Sequence, residues 1–505
     1  MLGAIDIGSN SIRMAVAQVL PDGQIEVLER LQRAVHLGQD TFRTGRIKGP
    51  TMRAAVLVLR DFQNVLKGYN VDLVRAVATS AVREAANMDT FLDRVLMATG
   101  LEVNVINSSE ESRLMVAAVR HDVGRAHLAG RNSLVVEVGG GNTVINVLRK
   151  GQIAASQNLA IGSIRLQEVL STSTESASRA AEMIRNQVVG VLVSVEKLLR
   201  LKQVRAFYAI GGDARWAADR VGKSTAVANL RCVSAQDLDK LVNKNRQYTA
   251  DKLSAMYGLS FIDAETLVPA LLAYQVLLNS TSAREILVSN VSMRDGLLLD
   301  LAQLATGAKE ESVYNDVIRS AMSVARKYRV DLKHVLHARE VSALLFDELA
   351  GEHSLDKRQR LLLEVAAMLH EIGTFVSSRS HHKHSYYLIV NSEIPGLTQD
   401  EMQMVANVAR YHRRSRPKTT HLEYMALPRE KRMVVNKLAA LLRVADALDA
   451  SRTQQVRNLK CKIRDQAFVI TVPTTADLSL EERMLTMKAD LFEDIYGLQV
   501  KLEKE

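Results

Sequence analysis

The chain has 505 residues, too many for one hydrophobic core, so we expect three or four domains. Hydrophobic residues make up 47% and charged residues 24%, as in ordinary soluble proteins, and an aromatic content of 4% argues against a nucleic-acid binder that stacks bases. The net charge of +10 would attract polyanions such as phosphate chains, nucleic acid or anionic lipid, although a merely basic surface would carry the same charge.

The sequence predicts a cytoplasmic protein without a membrane partner. Its two cysteines, Cys232 and Cys461, lie far apart without metal-ligand spacing, which fits a reducing compartment without disulfides. The first residues lack a basic segment and Asp6 interrupts their apolar run, so no signal peptide is predicted. No stretch reaches the ~18 uncharged apolar residues that a membrane span needs.

Strands and helices alternate over the first 130 residues, which predicts an α/β fold. The strand-like runs are residues 2–7, 12–20, 25–38 and 74–80, and the helical runs are 50–66 and 88–98. A similar pattern restarts at residues 133–151, where Glu137 corresponds to Asp6 in front of a second glycine turn. This repetition indicates an internal duplication, in which two similar lobes each direct one turn into a shared cleft.

The predicted secondary structure changes after about residue 308. Before that point the sequence predicts helices at 163–199, a strand at 204–210 and long helices over 260–306. Amphipathic helices then dominate to about 455, and the tail indicates strand at 461–473, helix at 478–495 and strand at 498–503. We therefore predict lobe I at 1–124, lobe II at 125–307, an all-α domain at 308–455 and a small α+β domain at 456–505.

The two turns are candidate phosphate-binding loops. Small residues let backbone N–H groups approach an anion, and hydroxyl, amide and guanidinium groups add further donors. The predicted phosphate contacts in these loops are Ser9, Asn10, Ser11, Arg13, Gly139, Gly140, Gly141, Asn142 and Thr143. The strand acids Asp6 and Glu137 are predicted to bind Mg²⁺ or another divalent cation. One such turn alone would be weak support, but two related turns, each preceded by an acid, are stronger.

These and other segments resemble the exopolyphosphatase / guanosine pentaphosphate phosphohydrolase (Ppx/GppA) family over nearly the whole chain. The segments that carry the resemblance are DIGSNSIR at 6–13, ATSAVREAAN at 78–87, SSEESRL at 108–114, LAIGSIRLQE at 159–168, AIGGDARWAA at 209–218 and VSMRDGLLLDL at 291–301. The resemblance implies two actin-like (ribonuclease H-like) lobes with a cleft, followed by an HD-like helical domain and the α+β tail.

The resemblance also assigns roles to individual residues. It implies that Thr79, Ser80, Arg83 and Arg165 contact the phosphate chain and that Gly162 belongs to the same block as Arg165. Glu111 would be the general base that orients and deprotonates water, with Glu137 as a second catalytic carboxylate. Without the family resemblance, Glu110 and Glu111 would be interpreted only as two acidic residues near the start of a helix, where negative charge interacts favourably with the helix dipole.

The second loop departs from the family pattern. The family usually has Asp-x-Gly-Gly-Gly-Ser-Thr-Glu, whereas this chain has Glu137 at the first position and Val144 at the last. A valine cannot bind metal, and Asn146 lies ~6.6 Å further along the strand, so the metal site would be weakened, shifted or absent. Asp213 stands where threonine is common and adds negative charge near the expected polyanion path.

The helical region resembles an HD-type domain with an altered ligand set. A working HD site gathers histidines and aspartates around a metal. Here Glu371 follows His370, Glu340 occupies the position expected for the first histidine with His337 one turn away, and Asp446 remains. We expect a structural relic rather than a metal site, with the HHKHS segment at 381–385 as polar packing. The basic run Arg413, Arg414, Arg416 and Lys418 is either a solvated face or a guide for a polyanion.

The sequence thus predicts an exopolyphosphatase that removes terminal phosphate from inorganic polyphosphate. Hydrolysis of guanosine pentaphosphate to the tetraphosphate is a close alternative, because the segments are shared. Val144 motivates a third hypothesis, a regulatory protein that binds phosphate chains or guanosine tetraphosphate without turnover. A sugar kinase is a weaker interpretation, since no sugar-binding acid can be placed. Polyphosphate or guanosine penta- or tetraphosphate is the expected partner, nucleic acid is not, and the resemblance implies a homodimer.

Overall fold

The computed structural model describes residues 1–21, 23–172, 175–305, 309–413 and 415–504. These residues form two compact units, Met1–Lys309 and Glu310–Glu505. The predicted boundary at 307/308 and Arg414 of the basic run lie outside the described residues. The finer boundaries at 124 and 455 stay predictions.

The first unit opens with a five-stranded sheet. Its strands are Leu2–Ile7 (β1), Ser11–Val19 (β2), Ile25–Ala34 (β3), Leu73–Ala78 (β4) and Val103–Val105 (β5). The helices of this part are Leu37–Thr44 (α1), Gly49–Gly68 (α2), Ser80–Arg83 (α3), Met88–Thr99 (α4), Ser108–Val123 (α5) and Arg125–Ala129 (α6). The strand order is β3-β2-β1-β4-β5, so the predicted alternation of strands and helices is confirmed.

A seven-stranded sheet follows in the same unit. Its strands are Ser133–Val138 (β6), Thr143–Arg149 (β7), Gln152–Leu159 (β8), Ala206–Ile210 (β9), Lys223–Ser224 (β10), Leu230–Ser234 (β11) and Glu285–Ser289 (β12). Its helices are Ser163–Leu170 (α7), Ala177–Leu199 (α8), Gly212–Val221 (α9), Ala235–Asn245 (α10), Ala250–Tyr257 (α11), Phe261–Asn279 (α12) and Met293–Ala305 (α13), with a 3₁₀ turn at Leu201–Gln203. The strand order is β10-β11-β12-β9-β6-β7-β8.

The two sheets share one topology, which supports the predicted duplication. β1 lies antiparallel to β2 and parallel to β4, and β6 has the same relation to β7 and β9. Asp6 pairs with Arg13 across the first hairpin, and Glu137 pairs with Val144 across the second. Val144 therefore occupies the position in lobe II that Arg13 occupies in lobe I.

The predicted helical stretch at 260–306 is wrong in one respect, because β12 interrupts it between α12 and α13. The run Glu285–Ser289 is short with an apolar middle, and it lies inside the sheet between β11 and β9, where Ile286 and Val288 are buried. Helix α12 is long and apolar enough to cross a membrane, but its most apolar window is 72% buried, and we assign it to the core of lobe II. Helix α13 packs on α5 and β1 and so returns the chain to the first sheet.

The second unit is helical with a small sheet at its end. Its helices are Lys309–Lys327 (α14), Leu332–Glu348 (α15), Ala350–His353 (α16), Lys357–Leu369 (α17), His381–Val390 (α18), Gln399–Arg410 (α19), Leu422–Met425 (α20), Arg429–Ala447 (α21), Ser479–Lys488 (α22) and Asp490–Tyr496 (α23), with a 3₁₀ turn at Ile372–Phe375. Its strands are Lys460–Arg464 (β13), Ala467–Val472 (β14) and Gln499–Lys504 (β15).

The helical region and the tail share one hydrophobic core. Phe468 and Phe492 of the tail belong to the same buried cluster as the helices α15, α17, α19 and α21. The predicted helix at 478–495 is two helices, α22 and α23, which meet at Ala489. Helices dominate this region as predicted, and the last of them, α21, ends at Ala447.

Candidate active site

The first glycine turn joins β1 to β2. The Gly8 N–H donates to the Ser11 carbonyl (3.1 Å), which closes the turn. Ser9 and Ser11 are buried, and the Arg13 Nε donates to the Ser11 hydroxyl (3.0 Å). The turn thus places small residues and one guanidinium group directly after the strand that carries Asp6.

The second turn, between β6 and β7, is held in place by the start of α7. The Gly139 N–H donates to the Asn142 carbonyl (2.9 Å), and the Ser163 N–H donates back to the Gly139 carbonyl (2.9 Å). A Cβ atom on Gly162 would lie 2.5 Å from the Asn142 nitrogen. Glycine is therefore required at position 162, because the backbone of the turn itself occupies the space of a side chain.

Both turns line one cleft with a volume of about 440 Å³. The predicted site residues that line it are Asp6, Ser9, Asn10, Ser11, Arg13, Thr79, Ser80, Glu111, Glu137, Gly139, Gly140, Gly141 and Asn142. Residues from four separate segments of the sequence thus come together, as expected from a pair of facing lobes.

Three predicted site residues, Arg83, Thr143 and Arg165, do not line the cleft. The Arg83 guanidinium donates to the Ile106 carbonyl (2.6 Å) and to Glu111 Oε1 (2.5 Å), so it contacts the predicted base. The Thr143 hydroxyl donates to the Ile161 carbonyl (2.8 Å) and is fully buried. Their predicted contact with a phosphate chain stays a prediction.

Arg165 connects the two lobes beside the second turn. Its Nε donates to the Gly141 carbonyl (2.6 Å), and its terminal nitrogen pairs with the Glu84 carboxylate (2.7 Å) of the other lobe. The guanidinium also lies over the Phe42 ring, 3.9 Å from its centroid. In this conformation Arg165 fastens the second turn to lobe I.

Asp6, Glu111 and Glu137 line the cleft beside the turns, and the pKa of each carboxyl group is raised. Burial raises the pKa of Glu111 to about 7, with the nearby charges of Asp6 and Glu137 acting in the same direction and Arg83 opposing them. Burial also raises the pKa of Asp6 and of Glu137, while Arg13 opposes both shifts. Burial is the largest cause in all three cases, so the cleft favours the uncharged form of these carboxyl groups.

Glu110 and Glu111, at the start of α5, have pKa values that are shifted in opposite directions. Burial opposes ionisation of Glu110, but hydrogen bonds and charge from Arg113 and Arg75 outweigh it and lower the Glu110 pKa to about 2. Glu111 faces the cleft with its pKa raised to about 7. The sequence alone treats the two as one acidic pair, whereas only Glu111 is placed to exchange a proton with a molecule in the cleft.

Asn146 does not replace the carboxylate missing at position 144. Val144 lines the cleft, is 5% exposed and belongs to an apolar cluster. Asn146 is fully buried and accepts a hydrogen bond from the Ser156 hydroxyl (2.9 Å). Of the two family carboxylates expected at this turn, only the one at position 137 is therefore present in the cleft.

The sequence predicted only part of the far wall of the cleft. It is formed by α9 and by the segment around α12, and the residues concerned are Asp213, Trp216, Leu259, Asp263, Thr266 and Leu267. Burial and the charge of Asp263 raise the pKa of Asp213 to about 6. Asp213 and Trp216 both belong to the segment at 209–218 that carries part of the family resemblance, whereas no pattern indicated that residues of α12 line the same wall.

A second polar cluster lies inside the helical unit. His334, His370, His412 and Asp446 come together there, whereas His337 and Glu340 line a separate groove on α15. The first histidine was therefore expected at the wrong position, because the spacing cannot show that His334 faces the interior. Burial lowers the pKa of His334, but hydrogen bonds to Asp446 and Asp449 outweigh this effect and raise it to about 9.

The HHKHS segment and the basic run have structural contacts. The Ser385 hydroxyl donates to the His370 carbonyl (2.6 Å) and accepts from the Gly373 N–H (2.9 Å), which fits the predicted polar packing. Arg416 donates to Asp490 (2.5 Å) and also pairs with Asp494. Arg416 thus holds α23 and is not free to guide a polyanion.

Two models of one protein family match most of the chain. Residues 15–305 match the model of the Ppx/GppA phosphatase family, and residues 318–494 match its domain III. The chain belongs to the Ppx/GppA phosphatase family. The predicted resemblance is thereby confirmed, and the protein is a hydrolase at the level of this family.

Solved structures of the family share the fold. An exopolyphosphatase from Cytophaga hutchinsonii is 24% identical with a TM-score of 0.55, over 61% of this chain and 98% of its own. The Ppx/GppA family member from Aquifex aeolicus is 22% identical with a TM-score of 0.50, over 60% and 98%. An exopolyphosphatase-like protein is 22% identical with a TM-score of 0.54, over 60% and 99%. The predicted fold, two actin-like lobes followed by a helical region, is confirmed.

Proposed function

We propose that this protein is an exopolyphosphatase that releases terminal phosphate from inorganic polyphosphate. The observation that carries the proposal is the position of Glu111 in the same cleft as both glycine turns, with its pKa raised to about 7. A carboxyl group with a pKa near neutrality is a suitable general base at the pH of the cytoplasm.

The turns would bind the phosphate chain and Glu111 would activate water. The backbone N–H groups of Gly140 and Gly141 and the side chains of Ser9 and Arg13 would stabilise the negative charge on the transferred group. Glu111 accepts a proton from the attacking water as the new O–P bond forms. The bond between the terminal phosphorus and its bridging oxygen breaks, and the shortened chain leaves with that oxygen.

The donor set of the cleft fits a hard divalent cation. Asp6 and Glu137 are partly buried and offer only oxygen atoms, and both raise the pKa of Glu111 by charge repulsion that a cation would relieve. These two carboxylates would hold Mg²⁺, which when bound supplies charge stabilisation for the phosphoryl group. With one carboxylate fewer than the family pattern, the affinity of the site is expected to be low.

The proposal is tested by phosphate release from purified protein. Polyphosphate and guanosine pentaphosphate are offered at matched ionic strength, and inorganic phosphate is measured over time. Faster turnover of polyphosphate supports the proposal, and a basic surface should make that turnover more sensitive to salt. Release from guanosine pentaphosphate alone, or from neither substrate, would contradict it.

The pH dependence of turnover is expected to follow Glu111. Because a general base must be ionised, kcat/KM for polyphosphate should fall about tenfold per pH unit below the pKa and level off above it. The pKa of Glu111, which burial raises to about 7, places this change near pH 7. Initial rates between pH 5.5 and 8.5 measure it, and a profile that stays flat over this range would rule out Glu111 as the base.

Guanosine pentaphosphate is the second candidate substrate, and the far wall of the cleft favours it. Trp216 and Leu267 offer an apolar surface for a base, and Asp213 lies beside them. A carboxylate can accept two N–H groups from one edge of guanine, whereas it would repel a polyphosphate chain.

Asp213→Asn is therefore expected to change the two activities in opposite directions. Losing the carboxylate removes an acceptor for guanine, so kcat/KM for guanosine pentaphosphate should fall about tenfold. The same change removes a repulsive charge, so polyphosphate turnover should rise or stay the same. Asp219→Asn, on the exposed side of the same helix, is the matched control. Equal losses on both substrates would mean that Asp213 does not distinguish them.

Val144→Glu is expected to raise Mg²⁺-dependent turnover by about tenfold or more, because it restores a carboxylate opposite Glu137. Val144→Gln has the same length without the charge and serves as the control. The measurement is phosphate release as a function of Mg²⁺ concentration. If the wild type and Val144→Glu both bind polyphosphate without releasing phosphate, the protein is a binding protein and the enzyme proposal fails.

We also propose that the protein is cytoplasmic and forms a homodimer. Both rest on the sequence, through the reducing-compartment pattern of Cys232 and Cys461 and through the family resemblance. Sedimentation of the purified protein would measure the oligomeric state directly.

A further inference from the structure

The side chain of Tyr274 extends from α12 to the ends of two strands that border the cleft. Tyr274 is 1% exposed, and its hydroxyl forms hydrogen bonds with β6 and with β9. We propose that Tyr274 is a positioning residue, whose hydroxyl holds Glu137 and the second glycine turn in place for phosphate release. This inference rests on the proposed function, because it gives Tyr274 a part in the same reaction.

The hydroxyl of Tyr274 bridges the two strands. It accepts a hydrogen bond from the Val138 N–H (3.1 Å) and donates one to the Ile210 carbonyl (2.6 Å). Burial raises the pKa of Tyr274, and the charges of Glu137 and Asp213 add to this effect, so the hydroxyl keeps the proton that it donates. The phenol thus uses its one proton and a lone pair on backbone groups of different strands.

The bridge lies where the ladder between β6 and β9 ends. Glu137 and Ile210 form the last pair of this parallel ladder, and Val138 is the last residue of β6. Beyond this point β6 continues into the second glycine turn, whereas β9 leads to α9. In open α/β sheets, ligands bind just outside the carboxyl ends of the parallel strands. The Tyr274 hydroxyl therefore joins the two strands at the edge of the sheet that borders the cleft.

Site residues lie directly beside the bridge. Glu137 precedes Val138 in the sequence, and the second turn begins with the next residue, Gly139. A Cβ atom on Gly211 would lie 3.4 Å from the Tyr274 hydroxyl and 3.6 Å from Glu137 Cγ. The hydroxyl and the Glu137 side chain thus border the same short segment. A displacement of the bridge would displace a predicted metal ligand and the start of a phosphate-binding turn together.

Helix α12 fixes the origin of the Tyr274 side chain. Its residues on either side of Tyr274 belong to the core of lobe II and are at most 2% exposed, namely Ala270, Leu271, Ala273, Leu277 and Leu278. Close-packed cores resist displacement, and few bonds of a tyrosine side chain can rotate. The position of the hydroxyl is therefore set by the core, and the hydroxyl passes this position on to the ends of β6 and β9.

Tyr274→Phe removes the hydroxyl and keeps the ring. The Val138 N–H and the Ile210 carbonyl then lose a buried partner, and Glu137 is no longer held through its neighbour. Groups that orient a metal ligand typically contribute tenfold or more to metal affinity. We therefore expect metal binding in the cleft to weaken about tenfold, by more than a general loss of stability would cause.

Thr281 offers a matched control for the loss of a buried hydroxyl. Its hydroxyl accepts a hydrogen bond from the Ala283 N–H (3.1 Å) and donates one to the Leu278 carbonyl (2.8 Å), so it also bridges two backbone groups. The neighbouring Ser282 N–H donates to the carbonyl of Val204, which precedes β9. Thr281 therefore lies near the amino end of β9, whereas the cleft lies at its carboxyl end.

The test measures metal binding and turnover on the full-length protein. Mn²⁺ alone is the probe, because it accepts the same oxygen ligands as Mg²⁺ and its free ion gives an electron paramagnetic resonance signal. Glu137→Gln shows which part of the binding belongs to the cleft. Tyr274→Phe should weaken that binding about tenfold and raise by the same factor the Mn²⁺ concentration for half-maximal phosphate release. Thr281→Val should lower the Tm by a similar amount and leave both quantities unchanged.

Two results would overturn the inference. One is equal Mn²⁺ binding by the wild type and Tyr274→Phe, and the other is equal weakening by Tyr274→Phe and Thr281→Val. Failure of the proposed function would differ from both, since the wild type would release no phosphate while Tyr274→Phe still weakened Mn²⁺ binding. Should Tyr274→Phe not fold, hydrogen exchange of the wild type decides: the Val138 amide should exchange as slowly as the inner amides of β6, and exchange at the rate of an exposed loop would overturn the bridge.

Discussion

Replacing Glu111 with glutamine is expected to lower the rate of phosphate release by about 10²–10⁴-fold, the usual contribution of a general base. Glutamine keeps the size of the side chain but cannot accept a proton from water. The change should appear in kcat, with little change in KM, because Glu111 acts on the water while the turns hold the phosphate chain. Initial rates over a range of polyphosphate concentrations separate the two constants.

Glu102→Gln is the matched control for this substitution, since Glu102 lies on the surface before α5. It should leave both constants unchanged. Thermal unfolding of Glu111→Gln should stay within a few degrees of the wild type, because the substitution removes a carboxyl group that burial already disfavours in its charged form. A variant that keeps more than a third of the wild-type kcat would contradict the assignment of Glu111 as base.

The sequence predicted those parts of the site that a pattern within one short segment can indicate. A strand acid, a turn of small residues and a returning strand can be recognised within ten residues, and both turns lie where that pattern places them. The duplication also showed that the turns face one cleft, because two similar lobes repeat one topology. Glu111 could be predicted as a site residue only from the family resemblance, because an acidic pair at the start of a helix is not a distinctive pattern.

The features that the sequence did not predict depend on contacts between segments that are distant along the chain. Arg83 pairs with Glu111 and Arg165 pairs with Glu84, and neither pairing follows from spacing along the chain. His334 and His412 were not recognised as partners of His370, because the sequence does not show which side of a buried helix faces its neighbours. The strand β12 was missed for a related reason: a short apolar run between two helices fits either structure until its neighbours are known.

A buried ion network explains how the helix that carries Glu111 is held. Arg75 of β4 donates to Asp300 (2.8 Å) and to Glu110 (3.0 Å). Arg113 of α5 donates to Glu110 (2.8 Å) and to Asp300 (3.0 Å). Asp300 lies on α13, the helix that returns to lobe I, and its side chain is 4% exposed. Two arginines and two acids therefore join a strand and two helices next to the cleft.

Asp300→Ala is expected to lower the free energy of unfolding of the first unit by about 3–5 kcal/mol, because it leaves two arginines partly buried without half of their countercharge. Urea unfolding followed by tryptophan fluorescence measures this, since the single tryptophan, Trp216, belongs to that unit. The midpoint should fall without a large change in slope.

Asp89→Ala, at an exposed position near the start of α4, is the control and should change the unfolding free energy by less than about 0.5 kcal/mol. Asp300→Asn keeps a hydrogen-bond acceptor and should lie between the two. Because α5 carries both Glu110 and Glu111, Asp300→Ala should also lower kcat several-fold without moving the pH at which the rate changes. If it unfolds at the same urea concentration as Asp89→Ala, the network does not stabilise the unit, and α5 must be held by its apolar contacts with α13 alone.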